Sequence, residues 1–417
     1  MTVKVGAART DVPVPTGTRM SGYAARTSGA TGIHDPLTVR ALAIDGVVFI
    51  AVDCCALHED SCDAIRGQLI AAGATDAVIA ATHTHSGPCI ARGRVGIDDP
   101  AVRVDVERAA ADTGRRSLAA TRVCRVGARE ATGVGVARDR RHLDAVIDPP
   151  VQGLVFRDVT DGTAVASLVT YPCHPVVLGA ANTQVSADHV AALRDEVEAA
   201  LGGALCVFLT GAAGDVNDGH AASASFHADV TSGRDFATAA ARGQRIARAL
   251  LEAAEHDVAV DAVRFSSATV APELAPVDRD VIARQRERWL RERRSASSGL
   301  RALLDIWIAW ADSLPTDPPS HWLGRISCTR IGAVRIVTLP GEPFLVAADL
   351  LRSSTSDPVF VLGYSDGVPG YLPNRDAYAE GGYEVEDAHR YYGMPSPFVA
   401  GSLEELIAAA RALMHEE

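Results

Sequence analysis

Two histidines separated by a single residue, His83 and His85, stand in the stretch AATHTHSGP (80–88), directly behind an apolar run. Imidazole is the commonest protein metal ligand, and it is also the side chain whose proton moves near neutral pH. On an extended strand, residues two apart point to one face. His83 and His85 would then address one pocket while Thr82 and Thr84 point elsewhere, leaving one ring to ligate a metal and its neighbour to move a proton. Other reactive side chains follow apolar runs in the same manner: Asp53, His174, Asp215, Glu342 and, further on, Tyr371. One strand ending in such a residue is ordinary. Several of them point to side chains that converge on a single site.

The elements that must position these residues are short runs rich in β-branched side chains. They are GVVFIAVD (46–53), AVIAATH (77–83), AVASLVTYPCH (164–174), LCVFLTG (205–211), VRIVTLPGE (334–342) and VFVLGYSDG (359–367). Continuous apolar strands of this kind suit a sheet covered on both faces. Helical patterns lie between them, at 188–201, 237–255, 342–352 and 402–414. The reading is an α/β fold with a mixed β-sheet core flanked by helices. In such sheets, function gathers where loops meet beyond the carboxyl ends of the strands.

Composition narrows the partners. The 417 residues include 47% hydrophobic and 22% charged side chains, an ordinary globular balance. A net charge of -12 argues against nucleic acid as a partner. Lys4 is the only lysine among 40 basic residues, the composition of a high-GC bacterial coding sequence. No run approaches the roughly 18 apolar residues of a membrane span. The first residues, MTVKVGAARTDVPVP, contain no apolar core of a secretory signal. Eight scattered cysteines are expected to be reduced and buried, so the expected location is cytoplasmic.

Six motifs then occur in one order along nearly the whole chain: MSGYAARTSGATGIHDPLTVRAL (20–42), THTHSGP (82–88), YPCHP (171–175) with VSADHVAALR (185–194), GAAGDVN (211–217), LPGEPF (339–344) and GYLPNRDAYAEGGYE (370–384). In this order they resemble the catalytic domain of the neutral (non-lysosomal) ceramidase family. The resemblance implies a zinc-dependent hydrolase that cleaves an amide (N-acyl) bond with metal-activated water. On the family pattern His83, His174, Glu342 and Tyr371 would hold Zn2+, and His85 would stand beside the metal near the reacting group. Tyr383 would donate to the developing oxyanion. Arg138, in GVARDRR, matches the family's arginine, although Ala137 replaces the asparagine that often precedes it and Arg140 and Arg141 follow closely. Zinc's preference for imidazole and carboxylate agrees with this set.

Three departures redirect the substrate. Asn217 stands where ceramidases carry a serine in GDVN, and Asp218 replaces the following proline. Asp215 and Asn217 are therefore expected to orient substrate or a ligand histidine, the kind of outer support that zinc sites depend on; Asp53 and Asp188 are weaker candidates for the same work. The chain is read as a single catalytic domain (1–417) without the C-terminal sandwich of the long ceramidases. It carries a helical, tryptophan-rich insertion at 272–325 that contains Trp289, Trp307, Trp310 and Trp322. That insertion reads as a docked hairpin, a lid or a contact in a homo-oligomer. The expected substrate is a small-molecule amide. Acyl transfer or lactam closure at the same site, and a non-catalytic ligand-binding role, are the alternatives.

Overall fold

The computed structural model describes residues 2–223 and 233–416. A nine-stranded mixed sheet forms its centre. The spatial order is Leu205–Thr210, Ala164–Tyr171, Val151–Asp158, Arg122–Ala131, Val3–Val12, Leu37–Ile44, Val47–Val52 and Asp76–Ala81, with His256–Val258 also pairing to Arg122–Ala131. The two outermost pairs are parallel and the inner ones antiparallel.

Strand alternation divides the core in two. Val48, Ile50 and Val52 face helices Glu59–Ala71 and Pro100–Ala119, joining Ile65, Leu69 and Val106 in one apolar cluster. Val47, Phe49 and Ala51 point the other way and meet Ile331, Ile336, Phe360 and Leu362. Those residues belong to a four-stranded sheet ordered Val263–Val270, Gly324–Ile331, Val334–Thr338 and Val359–Leu362. Helix Ser402–Met414 packs on this second sheet. The architecture is helix, sheet, sheet, helix, and burial on both faces explains why strand Val47–Val52 has no polar alternation.

The edges of the large sheet are closed, which positions the site. Gly363 donates its N–H to Thr210 (3.0 Å), and Ala81 donates to Tyr364 (3.1 Å). The Thr210 hydroxyl donates to the carbonyl of Thr82 at 2.7 Å. Unpaired strand edges are thereby satisfied internally, and the loops that follow Ala81, Tyr171 and Thr338 are drawn to one junction.

Residues 279–313 form two helices, Arg279–Glu292 and Ser298–Ser313. Trp289, Leu304 and Trp310 are buried between them with Trp307 alongside. Trp322 lies outside this hairpin and donates from Nε1 to Glu59 at 2.8 Å. No described helix is long and apolar enough to cross a membrane.

Candidate metal centre

His83 and His174 are fully buried, and the environment fixes the role of each ring nitrogen. Nδ1 of His83 lies 2.5 Å from the carbonyl of Cys55, and Nδ1 of His174 lies 3.0 Å from that of Val216. A carbonyl only accepts, so both Nδ1 atoms carry a proton, and in the neutral ring Nε2 keeps a lone pair. The two Nε2 atoms face one oxygen, Oε2 of Glu342, at 3.3 Å and 2.8 Å. With neutral rings these are three acceptors aimed at one another, and they need a proton or a metal ion among them. Imidazoles held by carbonyl acceptors and aimed at a shared point are the arrangement of metal-ligating histidines. His83, His174 and Glu342 place one ligand atom each within 4.8 Å of one another.

The protonation balance states the same requirement. Burial opposes ionisation of Glu342, yet His83 and His174 hold it well below the usual carboxylate range. Burial likewise opposes protonation of His83, but Glu342 and Cys55 lift it to about 10. His174 moves the other way, down to about 4, through burial and the Arg140 guanidinium. A proton on His83 can supply the positive charge that the carboxylate needs, and the same donors are free to take a metal ion once that proton leaves. A divalent ion suits that donor set.

Backbone geometry brings these groups together differently from the strand alternation expected. The strand stops at Ala81, and His83 sits at φ +69°, a left-handed conformation that non-glycine residues rarely adopt. His85 returns toward His83 around this turn, with Nε2 atoms 3.2 Å apart. The two rings meet, but through a strained turn and not through the alternation of a pleat. Gly22 (φ +90°) lies against the His85 ring, where a Cβ would stand 2.4 Å from Nδ1. That nitrogen is buried without a partner. Burial, then His83 and His174, hold His85 well below the usual histidine range.

Glu342 and Tyr371 are paired directly in a short parallel bridge, which sets both beside His174. Tyr383 lies across the Tyr371 ring at 5.9 Å and lines the same pocket. The arginine facing the pocket is Arg140. Its Nη1 is 3.5 Å from His174 Nε2, its guanidinium stands 5.0 Å from the Tyr371 ring, and Glu384 holds it through Nε at 2.9 Å. Arg138 is exposed, and its guanidinium returns to the carbonyl of Ala137. The chain curls between them, because Arg140 donates its N–H to Asp215 (2.9 Å).

Asp215 and Asn217 lie one layer back. Asp215 accepts from the N–H of Leu345 at 2.7 Å, tying its loop to the segment after Glu342. Asn217 lines the pocket, but its amide is committed to the carbonyl of His220 and to the N–H groups of Gly219 and His220. Asp53 forms a two-bond pair with Arg194 at 2.9 Å each, and Asp188 caps the helix that begins at His189. All eight cysteines are buried and unpaired. Cys55 forms a second group with His83 and His85, but its sulfur lies 3.8 Å from the His83 Nδ1 that already donates to a carbonyl.

Two residues absent from the motif reading contribute. The Tyr392 hydroxyl donates to Oε1 of Glu342, which leaves Oε2 for the imidazoles. The Tyr364 ring lies 4.3 Å from that of His83. Neither has a sequence signal, since each meets a partner from a distant part of the chain.

No protein-family model and no curated protein matches the chain. Solved structures do. One, described as a ceramidase complexed with C2, superposes with a TM-score of 0.74 at 16% identity, covering 99% of this chain and 75% of that one. The crystal structure of neutral ceramidase from Pseudomonas aeruginosa gives 0.73 at 17% identity over the same shares. At such identity the likeness concerns the backbone, and over almost its whole length this chain has the fold of neutral ceramidase.

Proposed function

We propose that the protein is a zinc-dependent hydrolase that cleaves the amide bond of a small molecule, with His83, His174, Glu342 and Tyr371 holding the metal. The observation that carries this reading is the pair of Nε2 atoms aimed at Oε2 of Glu342. Bound there, zinc would acidify a water molecule and polarise the amide carbonyl. As the water oxygen bonds to the carbonyl carbon, the carbonyl oxygen gains charge, and Tyr383 and Arg140 supply donors to it. The C–N bond then breaks, and the departing nitrogen takes one proton of the water. His85, whose Nδ1 is unpartnered and packed against Gly22, is the residue suited to pass that proton. Asp215, Tyr392 and Glu384 act as positioning residues.

The catalytic pocket has room of about 20 Å³, enough for about one water molecule. Leu303, on the tryptophan hairpin, forms part of its wall. The hairpin is therefore read as a lid that must shift for substrate to enter. That confinement also favours a second reading, in which an amine replaces water and the product is a transferred acyl group or a lactam. The buried, unpaired thiols fit a reducing cytoplasm.

The test combines metal content with product analysis. Purified protein should hold one equivalent of zinc that His83→Ala lacks, and mass spectrometry on an acyl-amide panel should find acid and amine fragments. Unchanged zinc in the variant overturns the metal site. Products differing from substrate only by loss of water select cyclisation.

A further inference from the structure

A second chamber of about 500 Å³ adjoins the catalytic pocket and shares Ala24 and Tyr391 with it as walls. Met20 and Tyr23 line one side, and Ile306 and Trp310 of helix Ser298–Ser313 line the other. Its size is that of a small-molecule site. Arg26, only 7% exposed, also lines it.

Arg26 differs from the other buried arginines. Among the described residues, Arg40 faces Glu198, Arg66 faces Asp366, Arg94 faces Glu59, Arg140 faces Glu384, Arg194 faces Asp53 and Arg390 faces Asp387. Among the described residues no carboxylate pairs with Arg26, whose guanidinium stands 4.8 Å from the Tyr23 ring. Its Nη1 donates to the carbonyls of Ser21 (3.2 Å) and His85 (2.6 Å), its Nη2 donates to Gly179 (3.2 Å), and Nε has no partner. Burial lowers its pKa to about 10, the direction expected of a cation without a counter-charge. The one carboxylate lining the chamber, Asp305, is exposed and already paired with Arg293. A buried charge left uncompensated is costly, and here it sits in the wall of an apolar chamber next to reactive groups.

We propose that this chamber seats the non-reacting arm of the substrate, an apolar stem ending in an anionic group, with Arg26 as its counter-charge. This rests on the hydrolase reading above and narrows it to amides that carry an acid, such as N-acyl amino acids, in place of neutral lipid amides. Carboxylate and phosphate share the required chemistry.

Binding can be measured without turnover, by calorimetric titration with octanoate, octyl phosphate and octanol. One or both anions should bind at least about tenfold more tightly than octanol, the scale of a charge-assisted hydrogen bond; whichever is tighter names the acid. Arg26→Met should bring the three to parity and Arg26→Lys should restore part of the difference. Ala309→Trp, at an exposed position lining the chamber, should weaken all three and serves if the Arg26 variants do not fold. Equal binding of octanol and both anions overturns the proposal, as does anion preference that survives Arg26→Met. A parallel turnover panel separates the two readings. Tight octanoate binding with no amide cleaved removes the hydrolase and keeps the chamber; equal kcat/KM for N-acyl amino acids and neutral N-acyl amines removes the chamber and keeps the hydrolase.

Discussion

The histidine pocket and the chamber beside it share two wall residues and are built on opposite terms. In the pocket each charged group faces partners: Glu342 faces two imidazoles and Tyr392, and Arg140 faces Glu384. Its groups come from loops anchored at the closed edge of a sheet, and its free volume is about 20 Å³. The chamber is some twenty-five times roomier, is walled in part by an inserted hairpin, and leaves Arg26 unanswered. A site that must hold reacting atoms to fractions of an ångström uses rigid, mutually satisfied groups. A site that selects a substrate arm can leave a charge for the ligand to meet.

The comparison breaks most sharply at Glu342. Glu342→Gln keeps the side-chain shape and removes the charge that both imidazoles face. Zinc content should fall from one equivalent to near none, and activity should fall by more than the 10- to 100-fold that outer partners of a ligand typically cost. Ala309→Trp should leave zinc content unchanged and alter only which substrates bind. Zinc loss in that chamber variant would mean that the two regions are one unit. Next in size is Glu384→Ala, which strips Arg140 of its buried partner. Breaking such a pair costs about 3–5 kcal/mol, so the denaturant midpoint should drop strongly; a drop below 1 kcal/mol would show that Arg140 reaches solvent.

The parts legible in the sequence were those governed by local pattern. The six apolar runs all contain strands, and the four helical patterns contain helices with ends trimmed by a few residues. The mixed sheet follows from them. Strands such as Val263–Val270, with burial alternating between partial and exposed positions, carry no apolar run to notice. Helix Pro100–Ala119 is dense in charge and hides its buried stripe of Val102, Val106 and Ala110. Among site residues, His83, His174, Glu342 and Tyr371 do come together. The choice between Arg138 and Arg140 depends on a turn that spacing does not encode, and Tyr392 meets Glu342 across fifty residues.

Asp215 offers a test through pH. Burial raises its pKa from 3.8 to about 6. The native state therefore binds this proton more tightly than the unfolded chain does, so stability falls as pH rises from 3.8 through 6 and the penalty is complete above that. Its ceiling is about 3 kcal/mol, reduced by the partial exposure of the residue. Asp215→Asn keeps an acceptor for the Leu345 N–H and removes the titration. The variant should match the parent near pH 4 and exceed its melting temperature at pH 7; parallel curves across that range would show that Asp215 does not titrate as stated.

The smallest expected effect lies where the hairpin meets the segment beside the histidine pocket. Trp310 donates from Nε1 to the carbonyl of Met394 at 2.8 Å, and Arg390 stands between 5.0 and 5.5 Å from the rings of Trp289, Trp307 and Trp310. The hairpin is thus latched to the segment that also carries Tyr383 and Tyr392. Trp310→Phe removes the hydrogen bond and keeps an aromatic face beside Arg390, a cost of about 1 kcal/mol. If the hairpin is a lid, loosening its latch should change substrate entry and product release while zinc content stays at one equivalent. An unchanged kcat and KM alongside the lost stability would make the hairpin a fixed wall of the chamber, and substrate would then have to reach the metal centre without displacing it.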